Sequence, residues 1–344
     1  MRISSALFLA FWPVFAAAQD HSALVERAIE AHVLPGYADL SAKTEAFAAI
    51  SEAFCVENAP IEALKSAYHN AFDAWIGVSH LRFGPSEAED RAFAIAFWPD
   101  ARGFTPRALG VLIRDEDPAV DDRAAFAEVS VAARGLFALD FLLFDPDRGD
   151  VAPDAAAYPC RLLSAISTDL AANAAAIEAD WRGGYAEMMT TPGPENPLYA
   201  SPAEASAEVF GALASGLEAV IDLRLGRPLG TFDRPRPRRA EAWRSGRPQR
   251  NVVLSLAALA QLAEAAFLPE LAPEDADAVR AAFDRAMEVA ARIEPPLAEA
   301  VAEPARRLGV EAARTAARDV LKAVDEGIGG ALGLEAGFNS LDGD

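Results

Sequence analysis

Apolar residues recur at intervals of three and four positions along most of this chain. That spacing places them on one face of an α-helix, and the abundance of alanine favours the same structure. The alternation of apolar and polar residues that is typical of strands is missing. The fold is therefore predicted to be all-α, with two helical-bundle domains packed together. The pattern predicts helices over residues 41–55, 61–81, 124–144, 155–181, 202–225, 252–267, 273–293 and 305–328.

Two segments interrupt the helical pattern. Residues 183–200 are rich in glycine and proline, and we interpret them as a linker between an N-terminal helical bundle (19–182) and a C-terminal one (201–344). Residues 226–250 concentrate arginine in a chain whose formal net charge is −21. This second segment is either an anion-binding loop or a solvated connector that packs on acidic helices.

The first 18 residues have the composition of a cleavable secretory signal peptide. The basic residue Arg2 precedes an apolar stretch from Ile3 to Phe15, and small residues follow up to Ala18, after which we expect cleavage. The stretch is shorter than the roughly 20 apolar residues that cross a bilayer. No later segment is expected to span a membrane either. The sequence therefore predicts an exported protein of the bacterial periplasm.

The acidic balance and the cysteine count narrow the functional classes further. Removal of Arg2 with the leader makes the net charge −22, which excludes non-specific binding to nucleic acid. The acidity either serves solubility or attracts cations and basic partners.

Cys55 and Cys160 are the only cysteines, and in an oxidising compartment they are predicted to form a disulfide.

Asp140 is the one carboxylate in the apolar run of residues 131–144. An ionised carboxylate in such surroundings is costly unless a cation or several donors meet it. One interpretation is structural: an ion pair with Arg82, Arg134, Arg244 or Arg247, of which Arg82 is the first candidate, or a cap on another helix. The other is functional, with Asp140 lining a pocket between helices.

Several segments together resemble the imelysin-like family of exported bacterial proteins, in order over nearly the whole mature chain. The resemblance implies an all-helical fold of two bundle-like domains, an envelope location and a link to iron-regulated uptake. The resemblance makes iron or haem the candidate cofactor, and an envelope protein or a small ligand the candidate partner. The segments are HVLPGYADL (32–40), AWIGVSHLRFGP (74–85), FWPD (97–100), GLFALDFLLFD (135–145), EAWRSGR (241–247) and GFNSLDGD (337–344).

The signature of that family is Gly-x-His-x-x-Glu, in which His and Glu on one helix face can both bind a metal. Here it falls on Gly135, Phe137 and Asp140. Phe137 has no electron pair to donate to a metal, so the sequence supports no metal site at this motif. The chain resembles a divergent branch in which the motif shapes a pocket or binds something other than a bare transition metal.

The family is grouped with metallopeptidases, but the sequence argues against that activity here. A zinc hydrolase needs three protein ligands, an open coordination position and a base. The four histidines form no His-Glu-x-x-His motif, and His69 and His80 lie some 16 Å apart if one helix carries both. We expect no catalytic residues and interpret each histidine as structural.

Three functions remain open: a binding protein in metal- or haem-related uptake, a divergent metallopeptidase, and a non-catalytic interaction scaffold. The C-terminal GFNSLDGD is expected to lock the domains together rather than to bind calcium. The candidate ligand-binding residues are Arg82, Asp100, Gly135, Phe137, Asp140, Arg244 and Arg247.

Overall fold

The computed structural model describes residues 21–294 and 296–335. The leader and the C-terminal GFNSLDGD segment, and with them the predicted cleavage site and domain lock, lie outside the described residues. Within them the fold is all-α, as predicted, and an isolated bridge between Thr231 and Arg234 is the only β pairing. The α-helices of ten residues or more are Leu34–Glu57, Ile61–Val78, Phe104–Asp115, Gly135–Phe144, Tyr158–Asp180, Pro202–Glu218, Pro248–Leu262, Pro273–Ala291 and Pro304–Ala323.

Shorter helical pieces connect or extend these helices. Several long helices contain a π-helical turn, a feature that is frequent at functional sites. The short α-helices are Ser22–Ala28, Arg91–Ile95, Arg123–Ala127, Ala186–Thr190, Arg227–Leu229, Leu297–Ala300 and Gly330–Leu332, and the π-helical turns are Ile29–Val33, Trp181–Tyr185, Ala219–Gly226, Ala263–Phe267 and Val324–Gly329.

The prediction of one helix over residues 124–144 is wrong. The chain forms a short helix at Arg123–Ala127, a 3-10 turn at Val131–Ala133, and a separate helix at Gly135–Phe144, which we call the motif helix. The break falls where Arg134 is extended and Gly135 takes a positive φ of 66°. Periodicity did not reveal this break, because the apolar residues continue across it.

A helix at Phe104–Asp115 was not predicted. The carboxylate of Asp100 accepts hydrogen bonds from the backbone N–H groups of Phe104 and Thr105, both at 2.9 Å. These two bonds satisfy donors that have no partner inside the first turn of a helix. Asp100 therefore fixes the start of this helix.

Two groups of helices pack side by side. Leu34–Glu57 lies against Ile61–Val78 and Tyr158–Asp180 in the first group. In the second group Pro273–Ala291 packs between Pro248–Leu262 and Pro304–Ala323. The boundary at residue 183 stays a prediction, and two facts bear on it. Residues 183–200 include the helix Ala186–Thr190, and Ser22–Ala28 packs against Pro202–Glu218 and the π-helical turn Ala263–Phe267, both of which follow that boundary in sequence. A dense apolar core joins both groups.

The disulfide between Cys55 and Cys160 is present, with a Cα–Cα distance of 5.8 Å. It links the C-terminal end of Leu34–Glu57 to the first turn of Tyr158–Asp180. The predicted pairing is therefore confirmed.

The expectation that no segment after the leader is long and apolar enough to span a membrane is wrong for one helix. Among the described residues, Pro248–Glu270 meets that test by length and composition. Its most apolar window is 56% buried inside the protein, and the core helix of a soluble protein passes the same test.

Candidate functional site

The motif helix begins with a glycine because no other residue fits there. A Cβ atom on Gly135 would lie 2.2 Å from the carbonyl oxygens of both Ala94 and Ile95. The positive φ of 66° also favours glycine. Gly135 therefore lets the start of the motif helix lie directly against the segment that leads to Asp100.

Asp140 lies in the middle of the motif helix and is 1% exposed. Its Oδ1 atom accepts hydrogen bonds from the backbone N–H of Ser245 at 3.1 Å and from the hydroxyl of Tyr68 at 3.4 Å. Arg244 lies 3.8 Å from Oδ2. Burial raises the pKa of Asp140 to about 6, although these donors and the arginine favour the ionised form.

The choice of Arg82 as the first partner of Asp140 is wrong, because Arg82 pairs with Glu87 at 2.6 Å. Arg134 binds Asp169 through two hydrogen bonds. The alternative Arg244 is the arginine found beside Asp140. Its shorter contact, 2.6 Å, is nevertheless with Asp145 at the end of the motif helix.

A cavity of about 250 Å³ opens beside Asp140. It lies between the motif helix, the segment 97–106 and the arginine loop, the name we give to residues 227–247. Two lining carboxylates, of Asp100 and Asp140, face a larger number of arginines. The lining residues are Phe97, Trp98, Pro99, Asp100, Gly103, Thr105, Pro106, Phe137, Asp140, Arg227, Arg238, Arg239, Ala240, Ala242, Trp243 and Arg244.

Aromatic rings form much of the wall of this cavity. Trp98 stacks on Phe137, with ring centroids 6.2 Å apart and planes 11° from parallel. On the arginine loop, Trp243 carries the guanidinium groups of Arg244 at 4.6 Å and Arg238 at 5.4 Å from its ring centroid. Phe137 thus holds a wall of the cavity by packing.

Three of the lining arginines lack a carboxylate partner. Among the described residues, no ion pair involves Arg227, Arg238 or Arg239, although the chain is strongly acidic. The Nε atom of Arg227 is buried and has no hydrogen-bond partner. Burial, followed by the charge of the nearby Arg239, lowers the pKa of Arg227. The cavity therefore has an excess of positive charge.

The structure brings four of the seven predicted site residues to the cavity: Asp100, Phe137, Asp140 and Arg244. The other three do not line it. Gly135 positions the motif helix, and Arg82 lies with Glu87. Arg247 is buried and binds Asp73, His69 and Asn251.

The segment EAWRSGR connects the two groups of helices by several contacts at once. Buried Glu241 accepts hydrogen bonds from Arg224 at 2.8 Å and Asn251 at 3.0 Å. Arg247 reaches Asp73 on the helix Ile61–Val78, and the backbone of Ser245 reaches Asp140. This segment therefore fixes one wall of the cavity against the motif helix.

Sequence reasoning missed several residues that the fold brings together. Arg227, Arg238 and Arg239 were not singled out, although the local reversal of charge over residues 226–250 was their signal. The buried histidines His32 and His80, whose Nε2 atoms are 3.0 Å apart, were also missed. They are 48 positions apart in sequence, and nothing in their spacing predicts the contact.

The residues at this site do not fit a metal ion or a haem iron. Asp140 is met by an N–H, a hydroxyl and a guanidinium, and the last of these repels a cation. The described lining has no His, Cys, Met or Tyr to bind haem iron. Elsewhere in the described ranges, no group of three or more His, Cys, Asp or Glu side chains is arranged to hold a metal.

The fold and the site define a class: an all-helical protein with an arginine-rich cavity beside the buried carboxylate of Asp140. The family model for imelysin, which is named as a peptidase family, matches residues 33–324. The chain therefore belongs to the imelysin family. A search among curated proteins gives no match.

Two solved structures share this fold. An imelysin-like protein from Psychrobacter arcticum 273-4 has a TM-score of 0.77 at 19% sequence identity. The match covers 95% of this chain and 100% of the Psychrobacter chain. An iron-regulated protein A precursor from Parabacteroides distasonis ATCC 8503 has a TM-score of 0.73 at 13% sequence identity. The match covers 92% of this chain and 97% of the Parabacteroides chain. At these identities the likeness shows the fold alone.

Proposed function

We propose that this protein is an exported, periplasmic ligand-binding protein of iron-linked envelope physiology, and that its ligand occupies the cavity beside Asp140. The observation that carries the proposal is the composition of that cavity. Partly buried aromatic rings and arginines without carboxylate partners converge on one concave surface. Ligand sites are typically concave and mostly apolar, with a few polar groups that fix orientation.

The iron link rests on the relatives. The Parabacteroides protein that shares the fold is described as iron-regulated. We expect the transcript of this chain to rise when its bacterium is starved of iron, measured against the same culture supplied with iron. An unchanged transcript level would contradict the link to iron. It would not bear on ligand binding, which is tested separately.

Peptide hydrolysis is the weaker alternative, because the chemistry of the site does not suit it. A metallopeptidase requires three protein ligands and a base around an open coordination position. At Asp140 the neighbouring groups are hydrogen-bond donors and an arginine. They stabilise the carboxylate itself rather than a metal.

Tryptophan fluorine NMR tests ligand binding at this cavity. The protein is prepared with 5-fluorotryptophan, and its spectrum is recorded with a panel of small aromatic acids, amides and amines. Trp98 and Trp243 line the cavity, whereas Trp75 and Trp181 are buried elsewhere and serve as internal references. The variants Trp98→Phe and Trp243→Phe assign the two resonances.

We expect at least one class of compound to shift the Trp98 and Trp243 resonances with saturation, while those of Trp75 and Trp181 stay fixed. A panel in which no compound moves either resonance would overturn small-molecule binding at this cavity. Hydrolysis of casein by the purified protein, abolished by EDTA and absent in Asp140→Asn, would favour the peptidase instead.

A further inference from the structure

We propose that the cavity binds an organic anion, a carboxylate with a flat aromatic body, whose charge is recognised by Arg227, Arg238 and Arg239 of the arginine loop. This inference rests on the proposed function and specifies the chemical class of its ligand. It follows from three features of the described residues: the charge of the lining, its aromatic wall, and two buried polar atoms without partners.

The charge of the lining selects an anion. Among the described residues, four arginines line the cavity against two aspartates, in a protein whose net charge is −21. Both aspartates are already engaged, Asp100 by the N–H groups of Phe104 and Thr105, and Asp140 by Ser245 and Tyr68. Like charges that converge without counter-ions repel one another, and an anionic ligand removes that repulsion.

The three arginines differ from the other unpaired arginines of the described chain in where they lie. Arg102, Arg285 and Arg318, for example, also have no ion pair among the described residues, but they do not line this cavity. The described part of the chain gives Arg227, Arg238 and Arg239 no acidic partner. A planar guanidinium pairs well with a carboxylate, because two parallel N–H groups match its two oxygens.

Two buried polar atoms support a ligand with hydrogen-bonding oxygens. Thr105 is 6% exposed, lines the cavity, and its Oγ1 atom has no hydrogen-bond partner. The Nε of Arg227, on the arginine loop, is buried without a partner as well. Buried polar groups in native proteins are nearly always satisfied, so each of these two lining residues keeps an unused hydrogen-bonding group, which a small movement of its side chain would bring to a ligand oxygen.

The wall of the cavity selects a flat body. Phe97, Trp98 and Trp243 are each only partly buried and line the same space. Stacked or edge-on aromatic contacts favour planar groups over branched ones. A compact, non-planar anion would satisfy the arginines and leave these rings exposed to water.

Calorimetry with matched probes tests the charge. Phthalate carries the two carboxylates on an aromatic ring, and phthalamide has the same shape without charge. We expect phthalate to bind and phthalamide to bind at least about tenfold more weakly, a difference of about 1.4 kcal/mol. The affinity for phthalate is expected to fall as salt is added, because salt screens the arginines.

Arginine substitutions test the residues. Arg227→Gln and Arg239→Gln are each expected to weaken phthalate binding by about tenfold. Arg234→Gln is the matched control, since Arg234 lies on the same loop, is exposed and does not line the cavity. Arg239→Lys, which keeps the charge but loses the planar fork, should fall between wild type and Arg239→Gln. Circular dichroism establishes that each variant is folded.

The outcomes separate this inference from the proposed function. If phthalamide binds as tightly as phthalate and shifts the fluorine resonances of Trp98 and Trp243, ligand binding stands and the anion is wrong. If neither compound binds nor shifts those resonances, and no other panel compound does, both proposals fail. Binding of citrate as tight as that of phthalate would overturn the flat body. Equal losses in Arg234→Gln and Arg239→Gln would overturn the assignment of the arginines.

Discussion

Arg244 lies between the carboxylates of Asp140, in the motif helix, and Asp145, which directly follows that helix, and binds them unequally. Its Nε atom is 2.6 Å from Asp145, whereas its Nη1 atom is 3.8 Å from Asp140. Asp140 also accepts hydrogen bonds from the backbone N–H of Ser245 at 3.1 Å and from the hydroxyl of Tyr68 at 3.4 Å. Arg244 is therefore shared between the two carboxylates and lies closer to Asp145 than to Asp140.

Double-mutant cycles are expected to reproduce this inequality. The coupling between Arg244→Gln and Asp145→Asn should exceed that between Arg244→Gln and Asp140→Asn, which we expect to be below about 1 kcal/mol. Urea unfolding of the single and double variants gives both couplings. Arg82→Gln with Asp140→Asn is the control and should be additive, because Arg82 pairs with Glu87. A larger coupling for Asp140 than for Asp145 would contradict the geometry.

Gly135→Ala should destabilise the protein by about 3 kcal/mol or more, because the new Cβ collides with two carbonyl oxygens. Gly149→Ala separates this collision from backbone strain. Gly149 has a φ of 72°, close to the 66° of Gly135, and nothing lies within 4 Å of its added Cβ. It should cost about 1 kcal/mol. Similar losses in urea unfolding of the two variants would show that the collision is relieved by movement of the chain.

The disulfide should contribute on the order of 4 kcal/mol in the chain-entropy model, since 105 positions separate Cys55 and Cys160. Thiol titration of the unfolded, unreduced protein is expected to detect no free thiol. The double variant Cys55→Ala with Cys160→Ala should unfold at a lower urea concentration than the oxidised wild type. Two titratable thiols in the unreduced protein would refute the bond.

The fold class was predictable from the sequence because helical periodicity extends over most of the chain. The missed break before Gly135 shows where this reasoning fails. The apolar run continues from residue 131 to 144, and only the close approach of Ala94 and Ile95 requires the chain to turn there. Such an approach is a tertiary contact, which periodicity within one segment does not encode.

The candidate site could be predicted from the sequence only in part. Asp140 stood out because a lone carboxylate in an apolar helix needs partners. Asp100, Phe137 and Arg244, which were predicted as candidates from the family segments, line the same cavity, and their role in binding stays a prediction. The partner of Asp140 was not predictable. Any of several arginines had suitable chemistry, and only the packing of the arginine loop against the motif helix selects Arg244.

Metal binding at the motif should be weak. We expect iron or zinc titrated into the purified protein to give at most weak heats in calorimetry, and Asp140→Asn to leave them unchanged. The reason is that Phe137 offers no ligand and Asp140 is met by donors and a guanidinium. Submicromolar affinity that Asp140→Asn abolishes would contradict this expectation.

The buried pair of His32 and His80 should make the protein less stable in acid. Burial lowers the pKa of His32 to about 4 and the pKa of His80 well below its usual 6.5. Unfolding therefore takes up protons between about pH 6.5 and pH 4, so stability falls as the pH decreases through that window. The geometry gives the reason, since protonating both rings would set two N–H donors 3.0 Å apart.

Asp140 should act in the opposite direction over nearly the same window. Its pKa is raised from 3.8 to about 6, so the folded protein binds the proton first and stability from this group rises as the pH falls from about 6. The free energy of unfolding is measured with urea at about pH 7.5 and about pH 5, and one variant of each group separates the two effects. His32→Gln should flatten the loss of stability in acid, by up to roughly 1 kcal/mol per pH unit, and Asp140→Asn should steepen it. If both substitutions changed the slope in the same direction, the pKa of either His32 or Asp140 would not be shifted in the direction that its burial predicts.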